Sequence, residues 1–350
     1  MKTKFLRVSV IILIFSSMLI FTACGRGGNS TGTQGSSGDG NENVSNIKLS
    51  FNLGLDSSQG EASQLFKKRV EELTEGKLTV EIYPNQQLGD MREQIEQVQS
   101  GAIQMTLQGT STLSNFAKAL EFLELPFLFP NDEVMWKVLS GEVGQEVFSE
   151  LEEANMVGLS YFTQGFRQMT NNQGPIHSPE DVKGQKVRTM PSDLLLETWN
   201  NWGANATVID LGELYNALQQ GVVDAEDNSI ETITKMSIYE VQEYLTISNH
   251  NFLPFAFVGN KDWFNSLPTE MQEAVRTAAL EAGEFGIEYI RNTEKEAMEK
   301  LKVEMKINEL TPEEIEVFKN ESKSVYEKYS QDPKSKEIIE KLQKAVEDNK

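Results

Sequence analysis

The stretch that decides the fold opens with YFTQGFRQMTNNQGPIHSPEDVKGQKVRTMPS (Tyr161–Ser192) and closes, after a helical pattern, with GVVDAEDN (Gly221–Asn228). Short β-prone segments in it adjoin Arg167, Arg188 and Asn228, so we expect each side chain where a strand gives way to a loop. In open α/β sheets, ligands bind at that edge. Arginine suits bidentate contact with a carboxylate, and an asparagine amide can donate to the same group. Spacing alone leaves the alternative of solvated surface residues open.

Three ordered motifs in this region carry a resemblance to a known family. They are G-x-R-x-x-T-N from Gly165, P-I-x-x-P-E-D-x-K-G-x-K-x-R from Pro175, and E-x-Y-x-A-L-Q-x-G-x-V-D-x-x-x-N from Glu213. With the earlier segment GKLTVEIYPNQQLG (Gly76–Gly89), they make the chain similar to the substrate-binding proteins of TRAP transporters. The similarity runs from about Ile47 to the neighbourhood of Leu301.

The resemblance implies a function and a role for each candidate residue. Family members are extracytoplasmic receptors for C4-dicarboxylates, sialic acid, sugar acids and similar anions. By position in the motifs, Arg188 is expected to pair with the substrate carboxylate, and Arg167 and Asn228 are expected to assist it. Two positions depart from the family pattern: Ser229 stands where proline is frequent, and Leu211 stands where an aromatic residue often stacks on the ligand.

The ligand class is a finer expectation. A sugar acid such as a hexuronate is favoured over a C4-dicarboxylate, since a dicarboxylate needs a second cation and none is obvious in the first predicted domain. Leu211 in place of an aromatic residue points the same way. So do the polar residues Gln104, Gln108 and Thr110–Thr112, which can meet hydroxyl groups.

The sequence favours a binding protein over an enzyme. It has two histidines, His177 and His250, and neither an H-E-x-x-H nor a G-x-S-x-G motif. We therefore predict no catalysis, no cofactor and no metal site. His250 is a further substrate-binding candidate, and a purely structural role for it stays open. Two alternatives also stay open: an ABC-type oligosaccharide-binding lipoprotein with an aromatic cleft, and a secreted sugar-acid lyase or hydrolase built on paired carboxylates.

Alternating apolar residues and amphipathic segments predict an α/β protein. Strand, helix and strand follow one another between Ile47 and Ile82, which indicates a βαβ unit. With the resemblance, the expected fold is a two-domain periplasmic-binding-protein-like fold. Each domain is a mostly parallel sheet flanked by helices, with crossing strands and a long helix spanning both. Domain I is predicted to comprise residues 47–164 and 254–293, and domain II residues 165–253 and 294–350.

Local patterns predict individual elements. Asn131–Glu153 is typical of a helical region, and Leu245–Ile247 and Phe255–Val258 of two strands. Thr269 and Gln272 have the spacing of a capping box that opens a helix to about Lys302, with Gly283 and Gly286 as points of bending. Helices are also predicted to start after the caps Asp210 and Thr311.

The N-terminal residues are predicted to lie outside the fold. Positive residues precede the apolar run Val8–Phe21, which is typical of a secretory signal peptide over residues 1–23. Cys24, the only cysteine, stands where a lipoprotein signal has its acylated cysteine. Residues 24–46 are rich in Gly, Ser, Asn and Thr and are predicted to form a flexible tether. We therefore expect an extracytoplasmic protein that is lipid-anchored to the cell membrane, in the periplasm if the cell has two membranes.

Composition limits the partners. The chain has a formal net charge of −21, which disfavours nucleic acid and anionic membrane surfaces as partners. An anion-binding site in such a protein needs local positive charge, and Arg167 and Arg188 supply it. The predicted partners are a small-molecule organic acid and the membrane subunits of a TRAP transporter, with the lipid anchor as the contact with the membrane.

Overall fold

The computed structural model describes residues 45–350, and the predicted signal peptide, Cys24 and the tether up to residue 44 lie outside the described residues. The strands in this part of the chain are β1 (Ser45–Ser50), β2 (Leu78–Tyr83), β3 (Met105–Gly109), β4 (Met156–Asn171), β5 (Lys186–Thr189), β6 (Asn205–Val208), β7 (Ala225–Ser229), β8 (Tyr244–Asn260) and β9 (Lys306–Glu309). The helices are α1 (Ser58–Leu73), α2 (Met91–Ser100), α3 (Thr110–Leu113), α4 (Asp132–Leu139), α5 (Glu142–Ser149), α6 (Asp193–Asn201), α7 (Leu211–Gln219), α8 (Ile230–Lys235), α9 (Lys261–Ser266), α10 (Thr269–Glu304), α11 (Pro312–Tyr329) and α12 (Pro333–Asp348).

The described strands form one continuous sheet in the order β2-β1-β3-β8-β4-β7-β5-β6, with β9 beside β8. We refer to β1–β3 as the first half and to β5–β7 with β9 as the second half. Pairing is parallel between β1 and both β2 and β3, and between β5 and both β6 and β7. The long strands β4 and β8 lie antiparallel to each other between the halves. The predicted α/β class with crossing strands is confirmed, and the crossing strands join the two parallel sheets into one.

The crossing strands are longer than the sequence indicated. β4 has 16 residues and β8 has 17. The C-terminal part of β8 pairs with β3, and the C-terminal part of β4 pairs with β7, so each strand enters both halves. The prediction of two separate strands at Leu245–Ile247 and Phe255–Val258 is wrong, because residues between them also pair with β4, as Asn251 does with Arg167.

The passage of β4 between the halves is irregular. Its register with β8 shifts between Thr163 and Phe166. Gly165, within this interval, has φ +85°, a conformation that glycine adopts without steric cost. Such a bulge bends a strand and increases its local twist. The chain therefore has a built-in bend where it leaves the first half.

The long helix α10 packs against α1, β4 and α8 and so contacts both halves. Its 36 residues correspond to about 54 Å at 1.5 Å per residue. The helix is continuous through Gly283 and Gly286, and these residues permit close packing: a Cβ atom would lie 2.4 Å from the Tyr161 carbonyl oxygen at the first and 1.9 Å from the Phe162 ring at the second. We find their role in contact with β4 rather than in bending.

Three local predictions need correction. Asn131–Glu153 divides into α4, α5 and a short 3-10 turn, because Gly141 is extended and begins a second helix. The capping box at Thr269 and Gln272 is wrong, since Pro268 caps α10 and the Gln272 amide donates to the Leu267 carbonyl instead. The helix α12, which the sequence analysis assigns to domain II, packs against α4 and α5 beside the first half.

Other caps agree with the sequence. The Asp210 carboxylate accepts the Gly212 amide at the start of α7, and Thr311 forms a reciprocal capping box with Glu314 at the start of α11. Within residues 45–350, the helices are all too short or too polar to cross a membrane.

Candidate functional site

The four predicted binding residues lie on four consecutive strands of the sheet, in the order β8, β4, β7 and β5. Arg167 lies in β4, Arg188 in β5, Asn228 in β7 and His250 in β8, and each is at most 2% exposed. Register places Arg188 opposite Glu226 on the neighbouring strand. The expected position at a strand end holds for Arg188, next to the last residue of β5. It also holds for Asn228, next to the last residue of β7, but is wrong for Arg167, because β4 continues to Asn171 and pairs with β7 there.

The guanidinium of Arg167 is bonded within the protein. Its Nε donates to Asp227 Oδ2 over 2.5 Å, and Nη2 donates to the Asp227 carbonyl oxygen over 2.7 Å. Its Nη1 lies 3.1 Å from the Met190 sulfur. Burial tends to raise the pKa of Asp227, but the charge and hydrogen bond of Arg167 overcome it and hold that pKa well below its usual range. Arg167 and Asp227 thus form a buried ion pair.

His250 supports this ion pair. Its Nε2 lies 3.1 Å from Asp227 Oδ2, and its Nδ1 lies 2.7 Å from the Ser248 hydroxyl. The rings of Trp199 and Trp202 meet the imidazole edge to face, at centroid distances of 5.9 and 5.6 Å. Burial lowers the pKa of His250, which favours the neutral ring. In this geometry His250 orients Asp227.

Arg188 has a different environment. Its Nε donates to the Ile209 carbonyl oxygen over 2.9 Å. Both terminal nitrogens, Nη1 and Nη2, are buried and have no hydrogen-bond partner within residues 45–350. Burial lowers the pKa of Arg188 to about 10, so the group is still a cation at neutral pH. A buried cation with unmet donors is costly, and a carboxylate, whose two oxygens match the guanidinium geometry, satisfies it.

Glu226 and Asn228 lie beside Arg188. The Asn228 amide donates to Glu226 Oε2 over 2.6 Å, and the Thr170 hydroxyl donates to Oε1 over 3.2 Å. Burial, followed by the negative charge of Asp227, raises the pKa of Glu226 to about 7, although Arg188 opposes the shift. The charge next to Arg188 therefore changes near neutral pH.

Glu124 is a site residue that sequence reasoning missed. It ends a 3-10 turn, Lys118–Glu124, within the apolar and aromatic run Leu120–Pro130. Its Oε1 accepts a 2.7 Å hydrogen bond from Thr110, and its Oε2 is buried without a partner in the described part of the chain. Burial raises the pKa of Glu124 to about 7, although the charge of Arg167 opposes the shift. An acid inside an otherwise apolar run was the available signal.

Asp227 and Met190 were also missed, although Asp227 adjoins Asn228 and Met190 is two residues from Arg188. Asp227 stands directly before Asn228 in the D-x-x-x-N motif. Its second oxygen, Oδ1, is buried and lacks a partner among the residues described. Only the fold reveals that this carboxylate faces Arg167, because the two are 60 residues apart in sequence.

The first half contributes a buried amide network. The Asn52 amide donates to Gln108 Oε1 over 2.9 Å, and the Gln108 amide donates to Gln94 Oε1 over 2.9 Å. Of the polar residues predicted to meet hydroxyl groups, Gln108 and Thr110–Thr112 are buried, whereas Gln104 accepts the Lys48 amide. Among residues 45–350, no group of three or more His, Cys, Asp or Glu side chains is placed to hold a metal ion.

The chain is similar to known proteins over most of its length. The sequence model of DctP, bacterial extracellular solute-binding protein family 7, matches residues 49–332. The C4-dicarboxylate-binding protein DctB of Bacillus subtilis (strain 168) is 32% identical over 285 residues, which cover 81% of this chain and 81% of that protein.

Solved structures share the fold. The sugar acid binding protein DctPAm from Advenella mimigardefordensis strain DPN7T, in complex with galactonate, has a TM-score of 0.83 and 31% identity, covering 87% of this chain and 98% of that one. A TRAP periplasmic solute binding protein from Shewanella oneidensis, with bound succinate, has a TM-score of 0.82 and 27% identity, covering 86% of this chain and 99% of that one.

Proposed function

This chain belongs to bacterial extracellular solute-binding protein family 7, and we propose that it is an extracytoplasmic receptor that binds an organic acid and delivers it to the membrane components of a TRAP transporter. The family consists of solute receptors rather than enzymes. Membership also disfavours the two alternatives, a sugar-acid lyase or hydrolase and an ABC-type oligosaccharide receptor.

The proposal depends mainly on the burial, the unmet donors and the positive charge of Arg188. Its two terminal nitrogens are buried without a partner within residues 45–350, and its charge persists at neutral pH. In the proposal, these nitrogens form a bidentate salt bridge with the ligand carboxylate. Removing one partner of a buried pair costs about 3–5 kcal/mol, because the other charge is left unpaired. We expect Arg188→Ala to weaken binding at least about a hundredfold, which corresponds to about 2.7 kcal/mol.

The other candidates have supporting roles in the proposal. Arg167 adds positive potential while its hydrogen bonds go to Asp227. His250 holds Asp227 in position. Asn228 donates to Glu226 and so places that carboxyl group beside Arg188. The ligand carboxylate then forms hydrogen bonds with Arg188, whereas Arg167 attracts it electrostatically without contact.

Within this function, a sugar acid is favoured over a C4-dicarboxylate. Arg167 is already neutralised by Asp227, which leaves Arg188 as the cation of the candidate site whose donors are unmet among the described residues. Two buried acceptors, Asp227 Oδ1 and Glu124 Oε2, lack donors among the described residues. The hydroxyl groups of a sugar acid supply donors, whereas a second carboxylate brings a negative charge to a site that already contains three carboxyl groups.

Two further features complete the proposal. The predicted domains close over the ligand by bending at β4 and β8, where both strands pass between the halves. Acyl chains on Cys24 hold the receptor at the membrane surface.

A thermal-shift screen followed by calorimetry tests the proposed function. The panel contains D-galactonate, D-galacturonate and succinate, with neutral galactitol as the control. A ligand at a hundred times its dissociation constant adds about 2.7 kcal/mol of stability, which is readily detected. We expect stabilisation by the sugar acids, none by galactitol, and loss of the effect in Arg188→Ala. Stabilisation by galactitol alone, or equal binding by Arg188→Ala, would contradict the salt bridge.

A further inference from the structure

A second buried carboxylate, Glu231, joins the two halves of the molecule away from the arginines. Glu231 is the second residue of α8, which follows β7 in the second half. It contacts Ser58, the first residue of α1 beside the first half, and Gln164 in the crossing strand β4. Glu231 is 8% exposed and Ser58 is fully buried. One side chain therefore links both halves and the strand between them; we name Glu231, Ser58 and Gln164 the Glu231 latch.

All three hydrogen bonds of the latch are donated to the Glu231 carboxylate. The Ser58 backbone N–H donates to Oε1 over 2.6 Å, and the Ser58 hydroxyl and the Gln164 amide, the latter at 2.9 Å, donate to Oε2. The Ser58 N–H is one of the first-turn amides that a helix cannot satisfy internally, and the N-terminus of a helix favours negative charge. An ionised carboxylate, which only accepts, is suited to these donors.

The latch lies at the bend of β4. Gln164 falls within the interval Thr163–Phe166, where the register between β4 and β8 shifts. Bending at this point moves the first half relative to the second. Because Ser58 and Glu231 belong to different halves, opening separates them and exposes the carboxylate and its donors to water.

A neighbouring ion pair also joins the two halves and provides a control. Lys235, on the same helix as Glu231, lies 2.7 Å from Asp56. Its side chain is 34% exposed and that of Asp56 is 79% exposed. Solvent screens such a pair, so it contributes little, whereas hydrogen bonds to a buried charge contribute more. The buried hydrogen bonds of Glu231 are therefore expected to stabilise the contact between the halves more than the Lys235–Asp56 pair does.

We propose that Glu231 is a positioning residue that holds the two halves closed over the ligand and so sets how slowly the ligand leaves. This inference rests on the proposed function, in which closure encloses a ligand at Arg188. Glu231 acts through Ser58 and Gln164 rather than through the ligand. Since the latch forms when the halves meet, it stabilises the closed state and leaves the encounter of the ligand with the open state unchanged.

Stopped-flow tryptophan fluorescence of the full-length protein measures this effect, with galactonate, galacturonate or succinate as the ligand, according to which binds most tightly. We expect Glu231→Ala to raise the dissociation rate constant about tenfold and to leave the association rate constant within about twofold. Lys235→Ala is expected to change both by less than about twofold. A dissociation rate constant that stays at the wild-type value in folded Glu231→Ala overturns the inference.

A milder variant covers the case in which Glu231→Ala does not fold. Ser58→Ala removes the hydroxyl donor and keeps the backbone N–H, so it is expected to raise the dissociation rate constant in the same direction by a smaller factor. If Ser58→Ala dissociates as slowly as the wild type, the latch does not control ligand release.

Hydrogen exchange of the ligand-free protein separates this inference from the proposed function. The Ser58 amide has Glu231 as its acceptor, so we expect it to exchange more slowly in the wild type than in Glu231→Ala. If none of the three acids binds, the receptor function has failed, but slow exchange that depends on Glu231 still supports the latch. If an acid binds, the comparison is repeated with the acid bound, because the latch forms in the closed state, and equal exchange in the two liganded proteins then contradicts the latch. If no acid binds and exchange is also equal, both the receptor function and the latch have failed.

Discussion

Arg167 and Arg188 lie on nearby strands of the same sheet, β4 and β5, and are equally buried, yet their hydrogen bonding differs. Arg167 donates to the Asp227 side chain and backbone, and His250 holds Asp227 from the other side. Arg188 has one backbone partner, and its terminal nitrogens have none within the described part of the chain. Burial alone does not distinguish a structural arginine from a binding arginine. The number of donors that the protein leaves unmet does.

The electrostatics of the two arginines differ in the same way. Although burial opposes it, the pairing with Asp227 raises the pKa of Arg167 above its usual value. For Arg188, burial outweighs the attraction of the neighbouring Glu226 carboxylate and lowers the pKa to about 10. The protein compensates the charge of Arg167, and in the proposed function a ligand compensates the charge of Arg188. The comparison therefore predicts that loss of Arg167 affects stability and loss of Arg188 affects binding.

The largest effect is expected for Arg167→Met. This variant leaves Asp227 buried without its cation, which should lower the free energy of unfolding by about 3–5 kcal/mol. Urea denaturation followed by circular dichroism measures the change. The matched control is Arg92→Met, since Arg92 forms an exposed pair with Glu96 and is expected to change stability by less than about 1 kcal/mol. Equal effects of the two variants would contradict the structural role of Arg167.

A double-mutant cycle tests whether Arg167 and Asp227 stabilise the protein as an ion pair. Arg167→Met and Asp227→Leu each leave one buried charge, whereas the double variant leaves neither. We expect the double variant to be more stable than the sum of the single effects predicts, by about 1–3 kcal/mol. Additive effects in the same denaturation experiment would mean that the two residues do not act as a pair.

The pH dependence of binding tests the environment of Arg188. Glu226, with a pKa of about 7, is ionised above that pH and then competes with the ligand for the positive charge of Arg188. A bound carboxylate raises the pKa of Glu226 further, so binding takes up a proton. Affinity should therefore rise as the pH falls from 8 to 6. When one proton is taken up per ligand bound, the rise is at most about tenfold for each pH unit.

Calorimetry in buffers of different ionisation enthalpy measures the proton uptake. Glu226→Gln should reduce both the uptake and the slope of affinity against pH. Glu124→Gln provides the comparison, because Glu124 also has a pKa of about 7 but lies near Arg167. Weaker binding at low pH in the wild type would contradict the expectation that ionised Glu226 competes with the ligand for Arg188.

The smallest effect is expected for the stability of ligand-free Arg188→Met. Replacing a buried, incompletely bonded cation by an apolar group removes its desolvation cost along with its single hydrogen bond. The free energy of unfolding should change by less than about 1 kcal/mol, or increase. A loss as large as that of Arg167→Met would show that protein contacts satisfy Arg188 in solution.

Much of the fold follows from local sequence, because caps depend on neighbouring residues. Asp210 begins α7 and Thr311 begins α11 as predicted. The length of β8 does not follow, since its middle contains Ser248, His250 and Asn251, which are typical of loops. Distant strands and turns supply partners for these residues: Gln168 accepts the Ser248 backbone N–H, Asp227 contacts the His250 ring, and the Asn251 amide donates to the Glu124 carbonyl.

The candidate site was predictable only in part, because its contacts also join residues that are distant in sequence. Motif resemblance predicts Arg188 as the carboxylate-binding residue, but sequence cannot show that its terminal nitrogens lack partners among the described residues, because that depends on every element around it. It also cannot show that Asp227 bonds to Arg167, or that Glu124, in an apolar run, has an unmet oxygen within the described residues. Both facts arise from contacts between residues far apart in the chain.

Isothermal titration of the tightest-binding acid of the panel into wild type, Arg188→Met and Arg92→Met tests the central claim most directly. We expect Arg188→Met to bind at least about a hundredfold more weakly, a difference of about 2.7 kcal/mol, and Arg92→Met to bind like the wild type. An affinity of Arg188→Met within about threefold of the wild type, in a folded protein, would mean that the carboxylate is held elsewhere.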